Sequence, residues 1–254
     1  MLETAPLQRL LARARARERR VLRFYGVSES AVARSLADAG GDGDGVDVTV
    51  CARDFELHVD LFVDEGGSAR ADEIERHLID DVGSFLFARE EVGTSELVLR
   101  LLRERGLTLA TAESCTGGMV GANLTDVPGS SDVYVGGVVA YSDDLKRGQL
   151  GVPAEILAVH GAVSAETAAA MALGARERLG ADVAVSVTGI AGPDGGSDEK
   201  PIGLVYLHAA GPMGERSRRF DFPGDRETIR RRATVGALHL VRRLVTELAQ
   251  TRHD

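Results

Sequence analysis

The alternation of apolar and polar positions in the first third of the chain predicts a small α/β module. A short apolar run at residues 21–25 is typical of a strand, and Ser28 then begins a helix whose apolar residues recur at helical spacing. The segments 46–51 and 55–63 alternate apolar with polar residues, which indicates a hairpin with one covered face. A second helix is expected from residue 70 to about residue 82.

The rest of the chain alternates helices with strands, a pattern typical of a sheet that carries helices on both faces. The other predicted strands are residues 107–112, 133–141, 183–188, 203–209 and 216–222, and the predicted helices are residues 96–105, 119–124, 143–150, 164–180 and 225–250. We therefore predict an α/β protein in three parts. A three-layer α/β/α domain at residues 93–254 follows a smaller α/β domain at residues 21–92 and an amino-terminal arm at residues 1–20.

Composition and charge narrow the class of function. The 254 residues are 44% hydrophobic and 27% charged, which fits a soluble, folded chain. A net charge of −9 argues against nucleic acid as a partner. No apolar run reaches the roughly 20 residues that cross a bilayer, and the Arg-rich start is unlike a signal peptide. We therefore expect a cytoplasmic protein with no membrane and no nucleic-acid partner.

Cysteine and lysine are scarce. Cys51 and Cys115 lack the paired spacing of a zinc site or a disulfide framework, so we expect reduced thiols and no metal. Of the 30 basic residues, only Lys146 and Lys200 are lysines. Arginine stays protonated at ordinary pH, whereas a lysine in a suitable pocket loses its proton and acts as a base. The scarcity of lysine therefore suggests that Lys146 and Lys200 occupy positions where a property of the amine is needed.

One candidate centre follows the strand at residues 107–112. Ser114 opens a glycine-bearing turn before a helix, and such a turn directs backbone N–H groups outward, toward a phosphate or a developing oxyanion. A serine hydroxyl needs a base, and a partly buried neutral lysine is one solution. Tyr141, Ser142 and Lys146 lie within six positions of one another. The alternatives are a tight connection that merely uses glycine, a solvated Lys146, and Cys115 as the nucleophile or as a buried filler.

Two further segments are candidates for the same pocket. A second glycine-rich segment, residues 188–196, follows the strand at 183–188. Arginines near the start of the last helix are suited to bind a phosphate through two hydrogen bonds, although a solvated cluster fits equally well; they are Arg226, Arg230, Arg231 and Arg232.

Five motifs in order resemble the carboxy-terminal domain of the CinA family, and the resemblance covers about residues 95–245. The motifs are Ala112-Glu113-Ser114-Cys115-Thr116-Gly117-Gly118, Val127-Pro128-Gly129-Ser130-Ser131, Gly136-Gly137-Val138-Val139-Ala140-Tyr141-Ser142, Gly161-Ala162-Val163-Ser164 and Val187-Thr188-Gly189-Ile190-Ala191-Gly192-Pro193. Residues 25–30 and the module after them are similar, more loosely, to the family's KH-like middle domain. The Gly-x-x-Gly clamp of a true KH domain is not evident, so this likeness does not predict nucleic-acid binding.

The resemblance implies a nicotinamide-nucleotide amidohydrolase that converts nicotinamide mononucleotide to nicotinic acid mononucleotide and ammonia, in pyridine-nucleotide salvage. It implies Ser114 as nucleophile, Lys146 as general base and Tyr141 as a proton relay, with no cofactor and no metal. Thr116, Ser130 and Ser142 stay open as alternative hydroxyls. The expected substrate-binding residues are Thr116, Gly117, Gly118, Ser130, Ser142, Thr188, Gly189, Gly192 and Arg230.

The family also implies a homodimer. Its usual amino-terminal molybdopterin-binding-like domain is not recognised in this sequence, so the ADP-ribose pyrophosphatase activity associated with that domain is not expected here. Two other functions remain open. One is a catalytically silent nucleotide-binding or regulatory module, and the other is an interaction protein in DNA uptake or damage response, which rests on the family's name alone.

Overall fold

The computed structural model describes residues 17–246. The chain forms two compact units, and the division falls between Glu91 and Val92. Residues 1–16 of the expected arm lie outside the described residues. Residues 18–20 of that arm instead belong to the first strand, because their backbone pairs with a neighbouring strand while Arg19 and Arg20 form ion pairs with Asp60 and Asp72.

The first unit is a four-stranded antiparallel sheet with two helices. Its elements are β1 (Glu18–Tyr25), α1 (Glu29–Asp38), β2 (Val46–Arg53), β3 (Glu56–Val63), α2 (Ser68–Val82), a 3₁₀ turn (Gly83–Phe85) and β4 (Leu86–Ala88). The strand order is β2-β3-β1-β4. Phe24, Val59, Leu61 and Ile74 lie in its apolar core. The alternating pattern thus predicted the hairpin and both helices, but not the three-residue strand β4.

The second unit is built on a five-stranded mixed sheet. Its helices are α3 (Thr94–Glu104), α4 (Met119–Thr125), α5 (Asp143–Leu150), α6 (Ala154–His160), α7 (Ala165–Leu179) and α8 (Arg226–Thr246). Its strands are β5 (Leu109–Glu113), β6 (Tyr134–Val139), β7 (Val183–Gly189), β8 (Leu204–Gly211) and β9 (Gly214–Asp221), with a 3₁₀ turn at Ser130–Asp132. The strand order is β6-β5-β7-β8-β9, and β6, β5 and β7 run parallel.

Side-chain alternation along the strands separates the two faces of this sheet. Leu109 and Val185 pack into an apolar cluster with residues of α3 and α8. Ala110 and Ala184 point to the other face, where they pack with Met171 of α7 and with Leu150 of α5. Small side chains on that face let α7 approach closely. The predicted three-layer α/β/α arrangement is confirmed, although helix α6 was not predicted.

Candidate active site

The serine turn, residues 114–118, continues strand β5 and begins helix α4. The Ser114 N–H donates to the main-chain oxygen of Val187 at 2.9 Å, so the turn starts in register with β7. Gly117 and Gly118 then adopt φ values of +63° and +100°, which glycine tolerates best. Ser114 is 8% exposed. The local sequence therefore places this hydroxyl at the carboxyl edge of the parallel strands, where α/β folds bind ligands.

Glu113 stabilises the serine turn from inside the protein. Its buried carboxylate accepts hydrogen bonds from the N–H groups of Gly118 (2.9 Å), Val120 (3.1 Å) and Gly121 (2.9 Å). These are N–H groups at the start of α4 that lack partners within the helix. The sequence analysis missed this role, although a carboxylate immediately before a turn into a helix is a recognisable signal.

The bonds of Glu113 change the expected oxyanion site. The Gly118 N–H donates to Glu113, and the Gly117 N–H donates to the Ser114 oxygen at 3.1 Å. These two glycines were expected to bind substrate, and their N–H groups are already bonded within the turn. Within residues 17–246, the N–H groups of Cys115 and Thr116 donate to no oxygen acceptor, although both lie close enough to the Cys115 sulfur to lower the pKa of its thiol in part. They remain available to a developing negative charge.

Arg230 holds the outer side of the same turn. Its Nε donates to the Cys115 oxygen at 3.0 Å and its Nη2 donates to the Thr116 oxygen at 2.9 Å. The expected role in phosphate binding would have to use the remaining N–H groups, because these two are committed to the turn. Arg230 therefore acts first as a brace between α8 and the serine turn.

Lys146 is a buried amine rather than a solvated one. Ser142 caps α5 by accepting the Leu145 N–H at 3.2 Å, and this sets the rotation of the helix. Lys146 is 1% exposed, and its Nζ donates to the main-chain oxygen of Tyr141 at 3.3 Å. Burial lowers the pKa of Lys146, while Asp143 opposes this shift. Both features suit a general base.

Strand register brings Lys146 and Ser114 to the same edge of the sheet. β5 and β6 are parallel, and the Ala140 N–H donates to the Glu113 oxygen at 2.8 Å. Tyr141, whose oxygen binds the Lys146 amine, therefore follows β6 where Ser114 follows β5. Within the described ranges no hydrogen bond joins Ser114 Oγ to Lys146 Nζ. Catalytic hydrogen bonds are often long before substrate binds, so direct contact remains a prediction.

Cys115 is poorly suited to act as the nucleophile. Its side chain belongs to the apolar cluster beneath the sheet. Burial raises the pKa of the Cys115 thiol to about 12. The reactive form of cysteine is the thiolate, which is scarce near neutral pH under these conditions. The structure therefore favours the buried filler over the nucleophile.

The glycine-rich loop, residues 189–196, lies at the same edge as Ser114 and Tyr141. Gly189 ends β7, and a Cβ there would come within 2.7 Å of the Leu204 oxygen. Arg226 donates from Nη1 to the Gly192 oxygen at 2.7 Å and from Nη2 to the Tyr141 hydroxyl at 3.3 Å. Arg226 thus joins the loop to Tyr141, a role that the sequence analysis did not assign to it.

Two threonines of the candidate site are fully buried. Thr188, at the end of β7, donates its hydroxyl to the Ala162 oxygen at 2.7 Å. Thr116 differs, because its Oγ1 has no hydrogen-bond partner within residues 17–246. A buried hydroxyl without a partner is costly, so Thr116 stays a candidate for contact with a ligand.

Ser130 lies at the opposite edge of the sheet from Ser114. The expectation that Ser130 binds substrate in this site is therefore corrected. It belongs to the 3₁₀ turn that precedes β6, and the Leu109 N–H at the start of β5 donates to Val133. A five-residue strand of about 17 Å separates that edge from Ser114. The reason is topological, because a parallel crossover returns the chain to the amino-terminal edge before the next strand begins.

Neither metal ligands nor membrane spans were found in the described part of the chain. Residues 17–246 contain no group of three or more His, Cys, Asp or Glu side chains placed to hold a metal ion. No helix in the same range combines the length and apolar character needed to span a membrane.

The second unit is an α/β/α protein domain with a serine hydroxyl and a buried amine at one edge of its sheet. The family model for the CinA C-terminal domain matches residues 92–245. The chain belongs to the CinA family, as its motifs indicated.

Relatives and solved structures agree with this membership. The chain is 44% identical to a CinA-like protein of Citrifermentans bemidjiense (96% of this chain, 59% of the relative) and 41% identical to one of Mycolicibacterium paratuberculosis (97% and 58%). It thus spans about three-fifths of the length of the curated relatives it matches. A competence/damage inducible protein of Agrobacterium tumefaciens is 42% identical, with a TM-score of 0.57 over 62% of this chain and 99% of that one.

Proposed function

We propose that the second unit hydrolyses the carboxamide of nicotinamide mononucleotide to nicotinic acid mononucleotide and ammonia. The observation that carries the proposal is the fully buried Lys146, whose pKa is lowered and whose amine lies at the sheet edge that presents Ser114. The resemblance to the family's amidohydrolase domain supplies the substrate. The buried neutral thiol of Cys115 supports serine over cysteine as the nucleophile.

In the proposed first step, Ser114 Oγ attacks the carboxamide carbon while Lys146 accepts its proton. The carbonyl oxygen becomes an oxyanion, and the N–H groups of Cys115 and Thr116 are the donors that stabilise it. Lys146 then returns the proton to the leaving nitrogen, the C–N bond breaks, and ammonia departs. An acyl ester on Ser114 remains.

In the proposed second step, water attacks the ester carbon and Lys146 takes the proton from that water. The ester bond breaks, Lys146 returns the proton to Ser114 Oγ, and nicotinic acid mononucleotide leaves. Tyr141 is 61% exposed at the same edge, and its hydroxyl accepts a hydrogen bond from Arg226. This placement suits a proton relay between the site and solvent.

The test measures ammonia and nicotinic acid mononucleotide formed from nicotinamide mononucleotide, without added metal. Ser114→Ala should abolish turnover. Ser130→Ala is the matched control, because Ser130 lies at the opposite edge of the sheet, and it should keep near wild-type turnover. If the folded wild type binds the mononucleotide without forming product, the silent nucleotide-binding module replaces the amidohydrolase.

A further inference from the structure

Lys200, the second of the two lysines, joins two segments that flank the candidate site. Its Nζ donates to the main-chain oxygens of His160 at 2.7 Å and Val163 at 2.8 Å. These oxygens bound the 160–163 turn, which follows helix α6. Gly161 in this turn has a φ of +75°, and a Cβ there would come within 3.2 Å of Lys200 Nζ. The absence of a side chain at Gly161 therefore lets the ammonium approach.

The 160–163 turn is connected to the serine turn through β7. Thr188 donates its hydroxyl to the Ala162 oxygen at 2.7 Å, between the two oxygens that bind Lys200. The preceding residue, Val187, accepts the Ser114 N–H at 2.9 Å. The position of the 160–163 turn therefore affects the position of Thr188. Thr188 is the residue next to Val187, whose oxygen accepts the Ser114 N–H.

Lys200 also follows an exposed segment, residues 193–199, that begins within the glycine-rich loop. Arg226 binds Gly192 just before this segment, and the Lys200 ammonium binds His160 just after it. Residues 193–199 between these two anchors are exposed. The Ser197 N–H donates to the Lys200 oxygen at 2.9 Å, so the last residues of the stretch follow Lys200.

We propose that Lys200 is a positioning residue for the candidate site, which fixes Thr188 and the glycine-rich loop beside Ser114 by joining that loop to the 160–163 turn. This inference rests on the proposed function, since it states how one side of that site is held. The compact ammonium explains why lysine persists here in a chain whose other basic residues, apart from Lys146, are arginines. A planar guanidinium is larger than an ammonium and directs its N–H groups differently, so we expect that arginine does not reproduce the two bonds beside Gly161.

The test compares Lys200→Met, which keeps the aliphatic stem, with Lys200→Arg. Glu199→Gln, an exposed neighbour in the same stretch, is the matched control. For both Lys200 variants, KM for nicotinamide mononucleotide should rise at least about tenfold while kcat changes less than about threefold. A purely structural role would instead lower kcat, with the folded fraction, at unchanged KM. Glu199→Gln should match the wild type.

Hydrogen–deuterium exchange gives a readout that does not require activity. Amides in residues 188–203 should exchange faster in Lys200→Met than in the wild type, and those of α3 should not change. Unchanged exchange, or faster exchange with an unchanged KM, overturns the positioning role. If the wild type forms no product, the proposed function fails. Hydrogen–deuterium exchange and the affinity for nicotinic acid mononucleotide then test whether Lys200 positions the site. Lys200→Gln carries the same test if Lys200→Met does not fold.

Discussion

The carboxylate of Asp143 lies 3.8 Å from the buried amine of Lys146, and Lys146 follows Asp143 by three positions in helix α5. The two side chains differ in exposure, because Lys146 is enclosed while Asp143 is 58% exposed. Burial lowers the pKa of Lys146, and the Asp143 charge raises it again in part. Asp143 therefore limits how readily the amine is found in its basic, neutral form.

Removal of the Asp143 charge should lower the pKa of Lys146 further. In Asp143→Asn the ammonium loses its anionic neighbour, so the neutral amine forms at a lower pH. The acidic limb of the kcat/KM profile should therefore move to lower pH. Asp144→Asn is the control, because Asp144 pairs with Arg147 rather than with Lys146. A limb that stays in place in Asp143→Asn would exclude Lys146 as the group that controls it.

Replacement of Lys146 itself should remove turnover. Arginine keeps the positive charge but does not deprotonate, so Lys146→Arg should lose about 10²-fold to 10⁴-fold in kcat. Lys146→Met is the second variant, because methionine fills the space of the buried lysine stem and carries no charge. Steady-state kinetics and thermal unfolding are measured together. An active Lys146→Arg enzyme would remove this amine from the mechanism.

Loss of the Glu113 carboxylate should destabilise the second unit. Three N–H groups at the start of α4 depend on it. Glu113→Gln removes the negative charge from all three bonds and places an NH2 donor opposite at least one of these N–H groups. We expect a loss of about 1–3 kcal/mol in the free energy of unfolding. Urea denaturation measures it. Glu155→Gln, an exposed acidic residue in the first turn of α6, should change the stability by less than about 0.5 kcal/mol.

The sequence predicted the strands and the serine turn because their signals are local. Lys146 could be singled out because arginine replaces lysine nearly everywhere else, and its burial agrees with that reading. The distance between Ser130 and Ser114 depends on how strands return through the fold, which residue spacing does not encode. The role of Glu113 is local, because its partners lie five to eight positions later, and that signal was missed. Arg230 was assigned to phosphate for its charge, yet the turn it braces lies more than a hundred positions earlier.

Cys115 should be dispensable for the reaction. Its thiol has a pKa of about 12, so the reactive thiolate is scarce at pH 8. Cys115→Ala should keep the activity with a stability loss of about 1 kcal/mol. Iodoacetamide at pH 8 should label the exposed Cys51 and leave Cys115 intact in the folded protein, as peptide mass spectrometry will show. Loss of activity in a folded Cys115→Ala variant would restore cysteine as a candidate nucleophile.

Arg230 should act on the serine turn rather than on the phosphate of the substrate. Its Nε and Nη2 bind two successive carbonyls, at Cys115 and Thr116, and a lysine ammonium cannot reproduce this planar pair. Arg230→Lys should therefore lower kcat/KM about tenfold or more, since a small displacement of the turn misplaces Ser114.

Nicotinamide riboside, which lacks the phosphate, separates the two roles of Arg230. If the guanidinium braces the turn, Arg230→Lys lowers kcat/KM by the same factor for the riboside and for the mononucleotide. If it binds phosphate, the loss is confined to the mononucleotide and is mainly in KM. Because both donors of the bidentate pair already hold the turn, we expect equal losses. A loss seen with the mononucleotide alone would return Arg230 to phosphate recognition.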